Sequence, residues 1–137
     1  MNTFKLRVLS ANEVFFEGEC QSLKVPYNDN DTQCFLAHHV NTVMPVYTGM
    51  LTIKDAEGNV IEAFTENGIL EFLDNEAVLI SVSVQRPEEI DMARAQQTKE
   101  RAEEILRQKL SQREYNETKA TLSRAMERIK VKNRHEI

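Results

Sequence analysis

The chain has 137 residues, 41% of them hydrophobic and 28% charged, with a net charge of −5. That composition gives room for one ordinary soluble domain, or a small one with an appendage. No apolar run approaches the roughly 20 residues of a membrane span, and Met1–Arg7 lacks the apolar stretch of a secretory signal, so cytosolic exposure without direct membrane insertion is expected. Residues 1–86 hold 5 Lys/Arg against 12 Asp/Glu, and residues 87–137 hold 12 against 10. So acidic a first part argues against nucleic acid as a partner, and the interleaved second part reads as a solvated helical surface with pairs such as Glu103–Arg107.

Phe4-Lys5-Leu6-Arg7-Val8 alternates apolar with charged residues, the period of a half-buried strand. Val14–Phe16 and Leu23–Val25 read as two further short strands, separated by Glu17-Gly18-Glu19 and stopped by Pro26. Three hairpin signals follow: Asp55–Asn59 between Ile53 and Val60, Glu66-Asn67-Gly68 between Phe64 and Ile69, and Asp74-Asn75-Glu76 ahead of Ala77–Val84. Short strands at this spacing predict an N-terminal antiparallel β-sandwich over residues 1–85, with Val78-Leu79-Ile80 in a central strand.

The acidic loop Asn28–Gln33 and the returning Cys34–Asn41 fit that pattern least well. No glycine stands sixth from Asp29, and Phe35 and Asn41 break the oxygen-ligand pattern, so a calcium loop is dismissed. A solvated connection and a partner-docking loop using Asp31, His38 and His39 both stay open. The two histidines are expected on opposite sides of a strand, which argues against joint metal ligation. Cys20 and Cys34 are the only cysteines, expected reduced, and with no CxxC and three histidines a structural metal site is not expected.

At Arg86-Pro87 the pattern changes, and no glycine or proline follows. Pro87 suits a first helical turn, and Glu88, Glu89 and Asp91 would complement the positive end of the helix dipole. Ile90, Ala93, Ala102, Ile105, Leu106 and Leu110 keep roughly to one face. Ser111-Gln112-Arg113-Glu114 is a capping-box sequence, so a second helix begins there, with Tyr115, Thr118, Leu122, Ala125, Met126 and Ile129 at spacings of three and four. The fold class is therefore β plus α: the sandwich, then a two-helix hairpin over residues 86–137. The hairpin meets mainly through alanines, whose burial gains far less than the ~1.5–3 kcal/mol of a leucine or isoleucine, so it is expected to be weakly held. The close of the hairpin could bring Arg124 and Arg128, four apart on one face, to Asp91 and Arg94; on spacing alone these read as a solvated face, and no glycine-rich phosphate loop is present.

Along essentially its whole length the sequence resembles the epsilon subunit of bacterial F-type (rotary) ATP synthases. The resemblance rests on Phe15–Glu19, on Phe35–His39 followed by Pro45–Leu51, and on Gly68–Phe72. Above all it rests on Ile90-Asp91-Met92-Ala93-Arg94-Ala95, which matches the family's Ile/Leu-Asp-x-x-Arg-Ala motif. It implies a ten-stranded sandwich with a C-terminal helical pair, in a non-catalytic central-stalk subunit. Its implied partners are the gamma subunit, the c-ring and, through extended helices, the catalytic alpha/beta head, at the cytoplasmic face of the bacterial membrane. It implies an inhibitory swing of the hairpin and, in some members, regulatory ATP held by the residues matching Ile90, Asp91, Arg94, Arg124 and Arg128. Two departures stand out: the family's Gly-His-Ala-Pro loop keeps only His39, and Gln85 stands where ATP-binding members have a glutamate. The alternatives are a stalk subunit with a purely structural tail and no ATP sensing, and an enzyme with a site around His38, His39 and Asp31.

Overall fold

In the computed structural model, which describes residues 2–28 and 30–135, the alternation of Phe4–Leu9 becomes strand β1. Phe4, Leu6 and Val8 are fully buried and Lys5 and Arg7 face water. The two short strands expected next are one: β2 runs from Val14 to Pro26. Glu17, Gly18 and Glu19 stay in the ladder, opposite Arg7, Leu6 and Lys5, so the supposed break is two favourable cross-strand charge pairs flanking a glycine. After β3 (Thr32–Leu36), β4 (Thr42–Val46), β5 (Gly49–Asp55), β6 (Val60–Thr65), β7 (Gly68–Leu73), β8 (Glu76–Ser81) and β9 (Val84–Gln85), the sheet order is β4-β7-β8-β1-β2-β5-β6-β9, with β3 beside the C-terminal half of β2. Nine strands are present among the described residues, where the resemblance implies ten.

This path is one sheet folded on itself. β2 pairs with β1 through its first half and with β3 and β5 through its second, and its register with β5 slips between Cys20 and Ser22. The Phe35 ring of β3 stacks on Phe72 of β7 at 5.8 Å, and Phe4 of β1 lies 5.2 Å from Phe72. Strands β3 and β7 are not ladder neighbours, so their rings meet across the sandwich. β8 is an interior strand as expected, parallel to β1, yet only its Leu79 side faces the core; Ile80 is half exposed. Cys20 is buried, which pushes its thiol up to about 12, and Cys34 is exposed; both are free.

Two expected hairpins hold. At Asp55–Asn59 the Asp55 carboxylate accepts the Glu57 and Asn59 amides, and at Asp74-Asn75 both residues take the positive φ of a tight β-turn. The third does not. β6 and β7 are unpaired with each other, so Glu66-Asn67 is a crossover between layers. Gly68 is glycine for a different reason than turn conformation: a Cβ there would collide with the Ile80 carbonyl oxygen of β8.

The helical part also differs in detail. Pro87–Glu89 form a single 3-10 turn, Ile90 is extended, and helix α1 runs from Met92 to Leu106 with Asp91 as its N-cap. The Asp91 carboxylate accepts the Arg94 amide at 3.0 Å. Pro87 therefore opens a turn ahead of the helix rather than the helix itself, because Ile90 leaves helical geometry to reach the sandwich. Helix α2 (Gln112–His135) starts at the predicted capping box, with Glu114 N–H donating to Ser111 Oγ and Ser111 N–H to Glu114 Oε1, both 3.2 Å. Between the helices the buried side chains are alanines, Ala95, Ala102 and Ala125; Ala93, Tyr115 and Met126 face solvent, contrary to the expected stripe. Against the sandwich, Ile90 and Val131 close on Phe64, with Met50 alongside, in a small cluster separate from the main core.

Candidate functional site

The predicted site residues divide into two groups, and the structure assembles only one. Asp91, Arg94, Arg124 and Arg128 line a single cavity of about 370 Å³ with Gln85, Glu89, Ala95, Thr98, Thr121 and Ala125. Each is placed by a separate device. Asp91 and Arg94 sit at the capped start of α1, Arg124 and Arg128 one turn apart on α2, and Gln85 at the end of β9, paired with Phe64. Ile90 does not line the cavity; its side chain is buried against Phe64 and Val131, beneath it.

Arg128 is the most constrained of the three guanidiniums. Its Nε donates to Gln85 Oε1 at 2.7 Å, and its Cζ lies 4.3 Å from the centre of the Phe64 ring. Burial holds it below the ordinary arginine value, Glu66 opposes that shift, and the neighbouring Arg124 and Arg94 add to it. Arginine stays cationic regardless, so the balance describes a crowded positive site rather than a proton to be released. Arg124 Nη2 donates to Thr121 Oγ1 at 3.2 Å. Arg94 is exposed, and among the described residues its guanidinium has no ion-pair partner. Three guanidiniums converging on one polar cavity can grip a polyanion through forked hydrogen bonds. Asp91 is less free, since one carboxylate oxygen caps α1.

The sequence reading missed Glu66. Its carboxylate lies 3.4 Å from Arg124 Nε and 3.7 Å from Arg128 Nη2. No local signal marks it, because it stands on the β6–β7 crossover and meets α2 only in the folded chain. Further pairs join the hairpin to the sandwich and to the turn before α1. Arg134 Nε donates to Glu62 Oε2 at 2.8 Å, Lys132 Nζ to the Pro87 carbonyl at 3.0 Å, and His135 Nε2 lies 3.4 Å from Glu88. Exposed ion pairs of this kind contribute about 0.2–1 kcal/mol each.

The second group is not brought together. Asp31 closes a turn through Asn28, whose amide donates to Asp31 Oδ2 and whose Oδ1 accepts the Asp31 amide; Asp29 of that loop lies outside the described residues. His38 and His39 follow the other end of β3, about 16 Å of strand away. They lie in a turn rather than on a strand: His38 has φ 65°, and His39 N–H donates to the Leu36 carbonyl. The His39 ring packs 4.4 Å from Phe35 and 5.5 Å from Phe72, which makes it a lid on the aromatic core, while His38 points to solvent. That end is tied together by Asn75, whose Oδ1 accepts the His38 amide and whose Nδ2 donates to the Thr3 carbonyl. Among the described residues no group of three or more His, Cys, Asp or Glu is placed to hold a metal ion, and no helix is long and apolar enough to cross a membrane.

A β-sandwich followed by a helical pair is a two-part architecture, and both parts match family models. Residues 3–87 match the beta-sandwich domain of the ATP synthase delta/epsilon chain, and residues 88–133 its long alpha-helix domain. The chain belongs to the ATP synthase delta/epsilon chain family. It is 40% identical over 134 residues to the ATP synthase epsilon chain of Ruminiclostridium cellulolyticum, covering 98% of each chain. It is 39% identical over 139 residues to that of Caldicellulosiruptor bescii, covering all of both. Its fold is like that of a chain in the Euglena gracilis mitochondrial ATP synthase OSCP/F1/c-ring structure, with a TM-score of 0.79 and 16% identity over all of this chain and 83% of that one. A chain in the Tetrahymena thermophila mitochondrial ATP synthase central stalk and c-ring structure gives 0.66 at 14% identity, covering 93% of this chain and 95% of that one.

Proposed function

We propose that this chain couples rotor to catalytic head in the central stalk of a proton-translocating bacterial ATP synthase, peripheral to the cytoplasmic face of the membrane, and that its helical hairpin regulates ATP hydrolysis. The outward face of β4, β7 and β8 supports docking of the sandwich on the gamma subunit: Val43, Ile69 and Ile80 are 50–66% exposed there, and Ile69 pairs with Ile80 and with Pro45. The c-ring takes the end that carries His38 and His39. The observation that carries the regulatory reading is how little holds the hairpin. Alanines fill the helix–helix seam, a small separate cluster joins it to the sandwich, and the rest is charge. Such an element can leave without unfolding the sandwich. Extended, its helices reach the alpha/beta head and block hydrolysis. Folded, it forms the arginine cavity, which suits the phosphates of regulatory ATP, with Asp91, Arg94, Arg124 and Arg128 as the contacts and Ile90 as support.

Truncation after Gln85 tests the inhibitory part: ATPase activity of the assembled enzyme rises, and unchanged hydrolysis in every condition rejects it. Calorimetry on the full chain tests the sensing part. ATP binding that weakens in Arg94→Ala and Arg124→Ala supports it; no binding to the unaltered chain at millimolar ATP rejects it. One observation favours the second reading, a stalk subunit without ATP sensing: Arg128 already has Gln85 and Glu66 as partners.

A further inference from the structure

Glu66 touches two of the cavity's three arginines, yet it does not line the cavity. Its side chain is 19% exposed. The sandwich, not the hairpin, fixes where it stands. The Glu66 amide donates to the Ser83 carbonyl at 3.0 Å, and its own carbonyl lies 3.0 Å from the hydroxyls of Thr65 and Ser81, both buried and 3.1 Å from each other. Arg124 and Arg128, four apart on α2, repel one another, and a carboxylate held between them offsets that repulsion. A polyphosphate in the cavity would do the same electrostatic work from the other side. Thr121, Gln85 and Phe64 hold the two guanidiniums independently, so what Glu66 adds is charge.

We infer that Glu66 is a resident counter-anion: it fastens the arginine face of α2 to the sandwich while the cavity is empty, so the hairpin of this chain stays docked without nucleotide. The part played by nucleotide rests on the sensing reading above; the fastening does not.

The test is hydrogen exchange on the full chain, comparing the unaltered protein with Glu66→Gln across a sodium chloride series, with and without MgATP. In the unaltered chain, α2 is protected without ATP and loses protection as salt rises. In Glu66→Gln, exchange over residues 118–131 is faster by on the order of tenfold at low salt and its salt dependence weakens, Arg134–Glu62 supplying what is left, while the β-strands keep theirs. Restoration by MgATP supports the counter-anion and the sensing site together. Faster exchange that MgATP does not restore supports the counter-anion and rejects sensing. Exchange of α2 like the unaltered chain's at every salt concentration overturns the proposal. Should Glu66→Gln disturb the strands as well, Arg124→Gln reads the same contact from the helix side: faster exchange with a weaker salt dependence supports the proposal, and an unchanged rate and salt dependence overturn it.

Discussion

Ile90→Ala separates the docking of the hairpin from the stability of the sandwich. Ile90 is 4% exposed and packs with Phe64 and Val131 in a cluster distinct from the main core. The substitution removes three buried carbons at about 0.8 kcal/mol each, plus a cavity contribution, or about 2.5–4 kcal/mol. That is a large part of what fastens the hairpin, beside one valine, the Arg128 contacts with Gln85 and Phe64, the Lys132–Pro87 hydrogen bond and a few ion pairs worth about 0.2–1 kcal/mol apiece. Exchange of α1 and α2 amides should therefore accelerate by about a hundredfold, or reach the fully undocked limit, with the β-strand amides unchanged. On the proposed regulatory role, in which the undocked tail inhibits, the same variant should hydrolyse ATP more slowly in the assembled enzyme. The measurement is residue-resolved hydrogen exchange beside thermal unfolding. If strand protection falls by the same energy as helix protection, the two parts are one cooperative unit and the reasoning fails.

Gly68→Ala should act on the sandwich instead, since the new methyl meets the Ile80 carbonyl and β8 must shift. A cost of about 1–3 kcal/mol lowers the sandwich melting temperature by roughly 5–20 °C, and an unchanged melting curve would show that β8 yields freely. The start of α2 should be acid-sensitive. The Ser111 hydroxyl and then the Ser111 amide hold Glu114 below its ordinary value of 4.5. A carboxyl lowered by folding contributes stability above its unfolded value and loses it as pH falls through the lower folded one. Helicity near residues 111–117, followed by NMR, should drop over that window, and Glu114→Gln should flatten the dependence; an unaltered profile in that variant would place the effect elsewhere.

What could be read from the chain is what neighbours in sequence decide. The alternation in β1, the turns at Asp55–Asn59 and Asp74-Asn75 and the Ser111–Glu114 box each have their partners within five residues, and each formed as read. The failures share the opposite property. Glu17-Gly18-Glu19 looks like a break until β1 lies beside it with Arg7 and Lys5. Asn67-Gly68 looks like a turn until β8 presses on the glycine. Pro87 looks like a helix start until Ile90 is drawn away to Phe64. For the arginine cavity, spacing favoured a solvated face; only the family motif joined α1 to α2, and the Gln85–Arg128 contact, 43 positions apart, lay beyond any local pattern.

β9 has only two residues, and its ladder partners are Phe64 and Thr65. It is a short splice onto β6 with Val84 in the main core, and it precedes the turn that leads into α1. Peeling it off adds two residues to the connecting strap, about 7 Å of extra reach, and lifts Val84 out of the main core and off the edge of β6. The same step removes Gln85 from Arg128. Strap length and cavity integrity are thus set by one event, and a disulfide engineered between positions 65 and 84 should shorten the tail's reach and preserve the cavity together.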